Sequence, residues 1–160
     1  GSTASRWRLL ARALLHDQLV SDGGKAFRCW IQGVYDSMRM LGHDSENSLY
    51  DIGLPLSTAT ERLQRSVEWS MTHIADRPHE VIARSAGLLA LFAAVLGAVE
   101  MARLATVADQ ELKQGVRADA SSFLHATIHN ARHYAMNELT QVTDRIFVAP
   151  PEHPSDRAFG

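Results

Sequence analysis

At 160 residues and 17.7 kDa the chain has the size of one domain, and 46% hydrophobic with 21% charged residues excludes wholesale disorder. Sixteen Lys and Arg against eighteen Asp and Glu leave a net charge of −2 and no basic excess for generic nucleic-acid binding. The single cysteine, Cys29, excludes an intramolecular disulfide and any multi-cysteine zinc site.

Gly1-Ser2-Thr3 reads as an expression scar, so residues 1–3 are set apart from a helical domain at 4–148. Trp7, Leu10, Leu14 and Leu15 recur at helical spacing and stop near Ser21-Asp22-Gly23-Gly24, which predicts a first helix near 6–20. Phe27, Trp30, Ile31, Val34, Tyr35, Met38 and Leu41 follow the i, i+3, i+4, i+7 pattern of a second helix over 25–41, closed by Gly42. Residues 43–56 are polar and turn-rich and read as a loop. Thr58-x-x-Glu61 resembles a capping box and opens a third helix at 57–75 with Leu63, Val67, Met71 and Ile74 on one face. Asp76-Arg77-Pro78 reads as a stop and restart. A long helix follows at 79–114, broken at Gly115 and Asp119, and a last one covers 120–147. Pro150, Pro151 and Pro154 mark residues 149–160 as a Pro-rich tail. No strand pairing or repeat is visible. The fold class is all-α: one bundle of about five helices around a long apolar central helix, with Leu88, Leu91, Phe92 and Val95 at its centre.

The segment 86–99 is apolar all round, between Arg84 on one side and Glu100 and Arg103 on the other. Its length, roughly 21 Å at ~1.5 Å per residue, falls short of a bilayer core of about 30 Å. Two readings stand: a core helix wrapped by the others, which the length favours, and a membrane span whose arginines snorkel to the interface. The small residues Gly87, Ala90, Ala93, Ala94, Gly97 and Ala98 permit close helix approach under either.

Few residues suggest chemistry. His125, His129 and His133 fall at i, i+4, i+8 on one stripe, and His125 with His129 is the candidate metal pair, since two imidazoles one turn apart can share an ion. No zincin-type H-E-x-x-H motif is present, and a polar helix face explains the stripe as well. Cys29 reads as a small buried hydrophobe and Ser121-Ser122 as helix-capping residues. Trp30 belongs to the core stripe. Trp69 lies off the Leu63–Val67–Met71–Ile74 line, as a surface anchor or an extra core contact. Trp7, between Arg6 and Arg8, suits an interface or the packing of the first helix.

The elements Arg84 before a Leu/Ala/Phe/Val run, then Glu111-Leu112-Lys113, then Ser121-Ser122-Phe123 with His125 nearby, resemble the integrating conjugative element membrane proteins over residues 84–132. An amphipathic stretch like Leu10–Val20 and an aromatic helix like Phe27–Met38 precede the apolar run in that family. Its basic Gly-rich loop is here Gln114-Gly115-Val116-Arg117-Ala118, and its further C-terminal spans have no counterpart. The resemblance implies a helical component of a conjugative, type IV secretion-like apparatus at the bacterial inner membrane.

The expectation is therefore a chain that is not an enzyme, with no cofactor, no native metal, no nucleic-acid partner and no small-molecule substrate, and that acts through contacts with a protein partner or a second copy. The alternative is a cytoplasmic, self-associating helical-bundle adaptor or regulator. Trp7, Leu10 and Leu14 are the expected partner-binding residues, because exposed aromatics carry much of the energy of interfaces. Charging Leu10 and Leu14 should disrupt assembly, read by sedimentation, with helicity by circular dichroism largely intact. Unfolding instead would mark that helix as core and place the contact face elsewhere.

Overall fold

The computed structural model describes residues 21–41, 49–115 and 117–146, together with Arg6, Ala13 and Leu19. All regular structure among them is helical: α1 (Lys25–Arg39), α2 (Tyr50–His73), α3 (Pro78–Gln114), α4 (Ala118–His133) and, beyond a π-helical turn (Tyr134–Leu139), α5 (Thr140–Arg145). α4, the π turn and α5 run on as one rod, so the described bundle has four long helices where about five were expected. The expected helix at 6–20, the scar at 1–3 and the tail at 149–160 lie outside the described residues, apart from Arg6, Ala13 and Leu19.

α1 starts where Gly23 and Gly24 take φ of 63° and 75°, a left-handed entry that suits glycine. The Asp22 carboxylate then accepts hydrogen bonds from three amides at the helix start, those of Gly24 (2.8 Å), Lys25 (3.1 Å) and Ala26 (2.8 Å). Phe27, Ile31 and Val34 are buried as the periodicity predicted. Cys29 is exposed. It stands two residues from Phe27, about 200° around a helix of ~3.6 residues per turn, and so is not the buried hydrophobe expected.

α2 corrects the later part of the loop expected at 43–56 and the start expected at 57, because the helix begins at Tyr50 and carries Pro55 within it, while residues 43–48 lie outside the described residues. Proline there removes one intrahelical donor, but burial of Ile52 and Leu56 on the core side holds the turn in helix. Thr58 is not a cap. Its hydroxyl donates to the Leu54 carbonyl at 3.1 Å, one turn back along a helix already under way.

α3 is fixed at both ends as the sequence indicated, by Pro78 in its first turn and by Gly115 with φ 84° at its C-cap. Over 37 residues, roughly 55 Å, it buries Val81, Ser85, Leu88, Leu91, Ala94, Val95, Ala98, Ala102, Ala105 and Ala108. Phe92, expected at the centre, is partly buried and packs with tilted rings 4.7 Å from Trp30 and 6.4 Å from Phe27, centroid to centroid. The α4–α5 rod lies close against α3. A side chain at Gly97 would come within 2.9 Å of the Tyr134 hydroxyl, which donates to the Ala94 carbonyl at 3.3 Å.

The π turn solves a register problem. Ala131, Ala135, Leu139 and Thr143 are buried at successive steps of four. Such steps drift by about 40° each in a helix of ~3.6 residues per turn, and the wider π winding takes up that drift. The Thr140 hydroxyl bonds the Ala135 carbonyl, five residues back, at 3.0 Å. Arg62 of α2 closes the end of the rod by donating to the Thr143 carbonyl at 2.7 Å, so the last turn does not leave all its acceptors open. Buried hydroxyls are likewise satisfied within their own helices, Thr60 to Leu56 (2.7 Å), Ser85 to Ile82 (2.7 Å) and Thr143 to Leu139 (2.6 Å).

Leu91 is fully buried, so Leu91→Ala should destabilise the fold by about 2–5 kcal/mol, measured by chemical denaturation. The Asp22 carboxyl sits below the usual carboxylate range. The Ala26 amide is the largest cause, joined by the Gly24 and Lys25 amides and the Arg28 guanidinium against an opposing desolvation. A lowered folded pKa contributes stability above the unfolded value, and that contribution is lost as pH falls through the folded one. Asp22→Asn should therefore lower the denaturation midpoint at neutral pH, with the gap to wild type narrowing as acidification protonates the wild-type carboxyl.

Candidate interaction surface

α3 has two apolar faces, and among the described residues only one is covered. Opposite the buried stripe, Ala86, Ala90, Ala93, Leu96, Glu100, Arg103, Leu104 and Val107 are all exposed. Their steps of three and four make one continuous line along the helix, roughly 32 Å from Ala86 to Val107. Leu96, Leu104 and Val107 leave 42%, 52% and 49% of their surface open, well beyond the chance exposure of a single aliphatic residue. Leu89 joins Ala86, Ala90 and Ala93 around a shallow apolar hollow. Glu100 and Arg103 are the only charges between Ala86 and Val107 on this line, paired one turn apart at 3.0 Å.

A second cluster lies between α2 and α3. Trp69 is partly buried and packs against the core, the second of the two roles expected of it, while stacking on His73 at 4.7 Å and receiving Arg84 over its ring at 4.0 Å. The buried His73 ring places Nδ1 2.9 Å from the Trp69 carbonyl. Since a carbonyl only accepts, that nitrogen carries the proton. At the junction of α1 and α2 the Tyr35 hydroxyl donates to Gln64 at 3.3 Å. Burial pushes the Tyr35 phenol up, as it does Tyr134 on the π turn, with Glu61 and Glu138 adding to the respective shifts.

His125, His129 and His133 do form an exposed stripe on α4. His125 turns its Nδ1 to the Ser121 carbonyl at 2.8 Å. No group of three or more His, Cys, Asp or Glu among the described residues is placed to hold a metal ion. Ser121 and Ser122 do not cap α4, whose N-cap is Arg117 without a side-chain bond. The expected partner residues Trp7, Leu10 and Leu14 lie outside the described residues.

Residues 31–147, more than two thirds of the sequence and the whole of α2 to α5, match the family described as acetyl-CoA dehydrogenase C-terminal like. The chain belongs to this family. No curated protein and no solved structure matches it. Membership corrects the expectation that the chain is not an enzyme, because it ties the bundle to an enzyme-related family. The helical pattern could not carry that information, since helix periodicity reports which face is buried and not what the bundle serves. The open face of α3 was likewise missed, because a segment apolar all round gives periodicity nothing to discriminate. The signal available was the Glu100–Arg103 pair, followed by Leu104 and Val107 on the same line.

Proposed function

We propose that this chain is a helical packing domain of an enzyme that dehydrogenates CoA thioesters. The observation that carries the reading is the family match, which begins within α1 and takes in the whole of α2 to α5 rather than a single motif. The structure adds support of a different kind. The described residues share one buried core and still present a long apolar line on α3, which is what a domain built to pack against further protein requires.

A second reading, contacts at the inner membrane within a conjugative apparatus, has one observation in its favour. α3 is long and apolar enough to cross a membrane by length and composition, although a core helix passes the same test. Vesicle flotation distinguishes the two readings.

The enzymatic reading is tested on the natural gene product, isolated from its source through an affinity tag. Purified material should reduce an artificial electron acceptor when supplied with an acyl-CoA thioester and not with free CoA. Material that floats with vesicles and oxidises no thioester would overturn the proposal.

A further inference from the structure

We propose that His125 and His129, on the open face of α4, form a two-imidazole site for an exchangeable late first-row divalent cation, copper(II) ahead of nickel(II) or cobalt(II). The site is separate from the enzymatic reading and does not rest on it.

The helix supplies the spacing. α4 is a regular α-helix from Ala118 to His133, so His125, His129 and His133 follow one another a turn apart, with about 5–6 Å between successive Cβ atoms. All three side chains are exposed, and none serves the core. Two imidazoles at that separation reach one ion from a single helix, as they do in helical His-x-x-x-His metal sites. The third does not join them. His125 and His133 stand roughly 12 Å apart along the axis, and no group of three or more His, Cys, Asp or Glu among the described residues is placed to hold a metal ion. The unit is therefore a pair.

A hydrogen bond chooses which pair. His125 Nδ1 lies 2.8 Å from the Ser121 carbonyl and 3.3 Å from the Ser121 hydroxyl. A carbonyl only accepts, so Nδ1 carries the proton and Nε2 of the neutral ring keeps its lone pair. A bond from the second ring nitrogen to a backbone carbonyl is how metal-binding histidines are oriented and made more basic. His125 thus meets an ion with tautomer and ring already set, which favours His125–His129 over His129–His133. The donors choose the ion. Imidazole nitrogen suits late first-row metals, with affinity rising to copper(II), whereas magnesium and calcium take oxygen ligands. Two protein donors leave coordination positions to water, so the ion exchanges and the fold does not depend on it. Arg132 neighbours the stripe, and the Asp51 carboxylate 3.9 Å away offsets its charge.

Calorimetric titration of the untagged chain with copper(II) chloride tests the site. His129→Ala removes the residue common to both pairs and should weaken the tightest site by about tenfold or more. His125→Ala should cost less, because His129–His133 remains, and the double variant His125→Ala/His133→Ala should match His129→Ala. His133→Ala alone should stay near wild type. All these positions are exposed, so the variants should keep the metal-free thermal midpoint. Copper should raise the midpoint of the wild type above that of His129→Ala, since the spaced pair exists only in the folded helix. Electron paramagnetic resonance of the copper form should show coupling to two imidazole nitrogens, and a chelator should strip the ion with helicity unchanged. A tightest copper site that survives His129→Ala would overturn the proposal. So would a loss from His133→Ala as large as that from His125→Ala, or a site that prefers magnesium or calcium.

Discussion

The structure depends on how α3 is buried. A helix of 37 residues with apolar side chains on nearly every face is covered on only part of its circumference by the three described elements packed against it. The rest of the bundle is arranged to cover one stripe of it. α2 packs along the N-terminal half, the α4–α5 rod runs back along the other flank, and α1 brings Phe27 and Trp30 onto Phe92. Close approach is achieved with small residues: half of the ten buried positions on α3 are alanine, and Gly97 lies beneath Tyr134, whose hydroxyl end would have to shift for a Cβ. The hydrophobic gain per residue is modest at such positions, and tight packing supplies what side-chain size does not.

The same arrangement explains the π turn. A rod that follows α3 over most of its length must keep its buried side chains in line, and the sequence places them four apart at Ala131, Ala135, Leu139 and Thr143. A uniform α-helix would carry the last of these off the core. The irregularity is therefore forced by the partner helix, and Arg62 reaching the end of the rod fixes where it stops.

Much of this was legible in the residues. Pro78 and Gly115 bounded α3 because each acts through its own backbone, and the apolar spacing of Phe27, Ile31 and Val34 placed α1. The beginning of α2 was not, because Pro55 and its polar neighbours look like a loop until Ile52 and Leu56 find a core to enter, and tertiary burial overrides local preference. Cys29 was misread through composition, although its offset from Phe27 pointed outward. On the candidate surface, the histidine stripe was visible by spacing, while the open face of α3 required knowing which side the other helices take. The tie to an enzyme family lay in no single motif and came only from comparison over the length of the bundle.

The lengths of the helices have one more consequence. α2 spans 24 residues against 37 for α3, and its start lies near Arg132, which reaches Asp51 at 3.9 Å. Beyond that level α3 and α4 continue, among the described elements, as a two-helix arm sealed by Ala102, Ala105, Ala108 and Ile128. An arm with so little apolar mass has its own opening equilibrium, separate from global unfolding. Backbone amides near 102–114 and 118–128 should exchange with solvent deuterium well before those around Leu91, which makes this end of the molecule a lever whose rigidity is set by whatever lies against it.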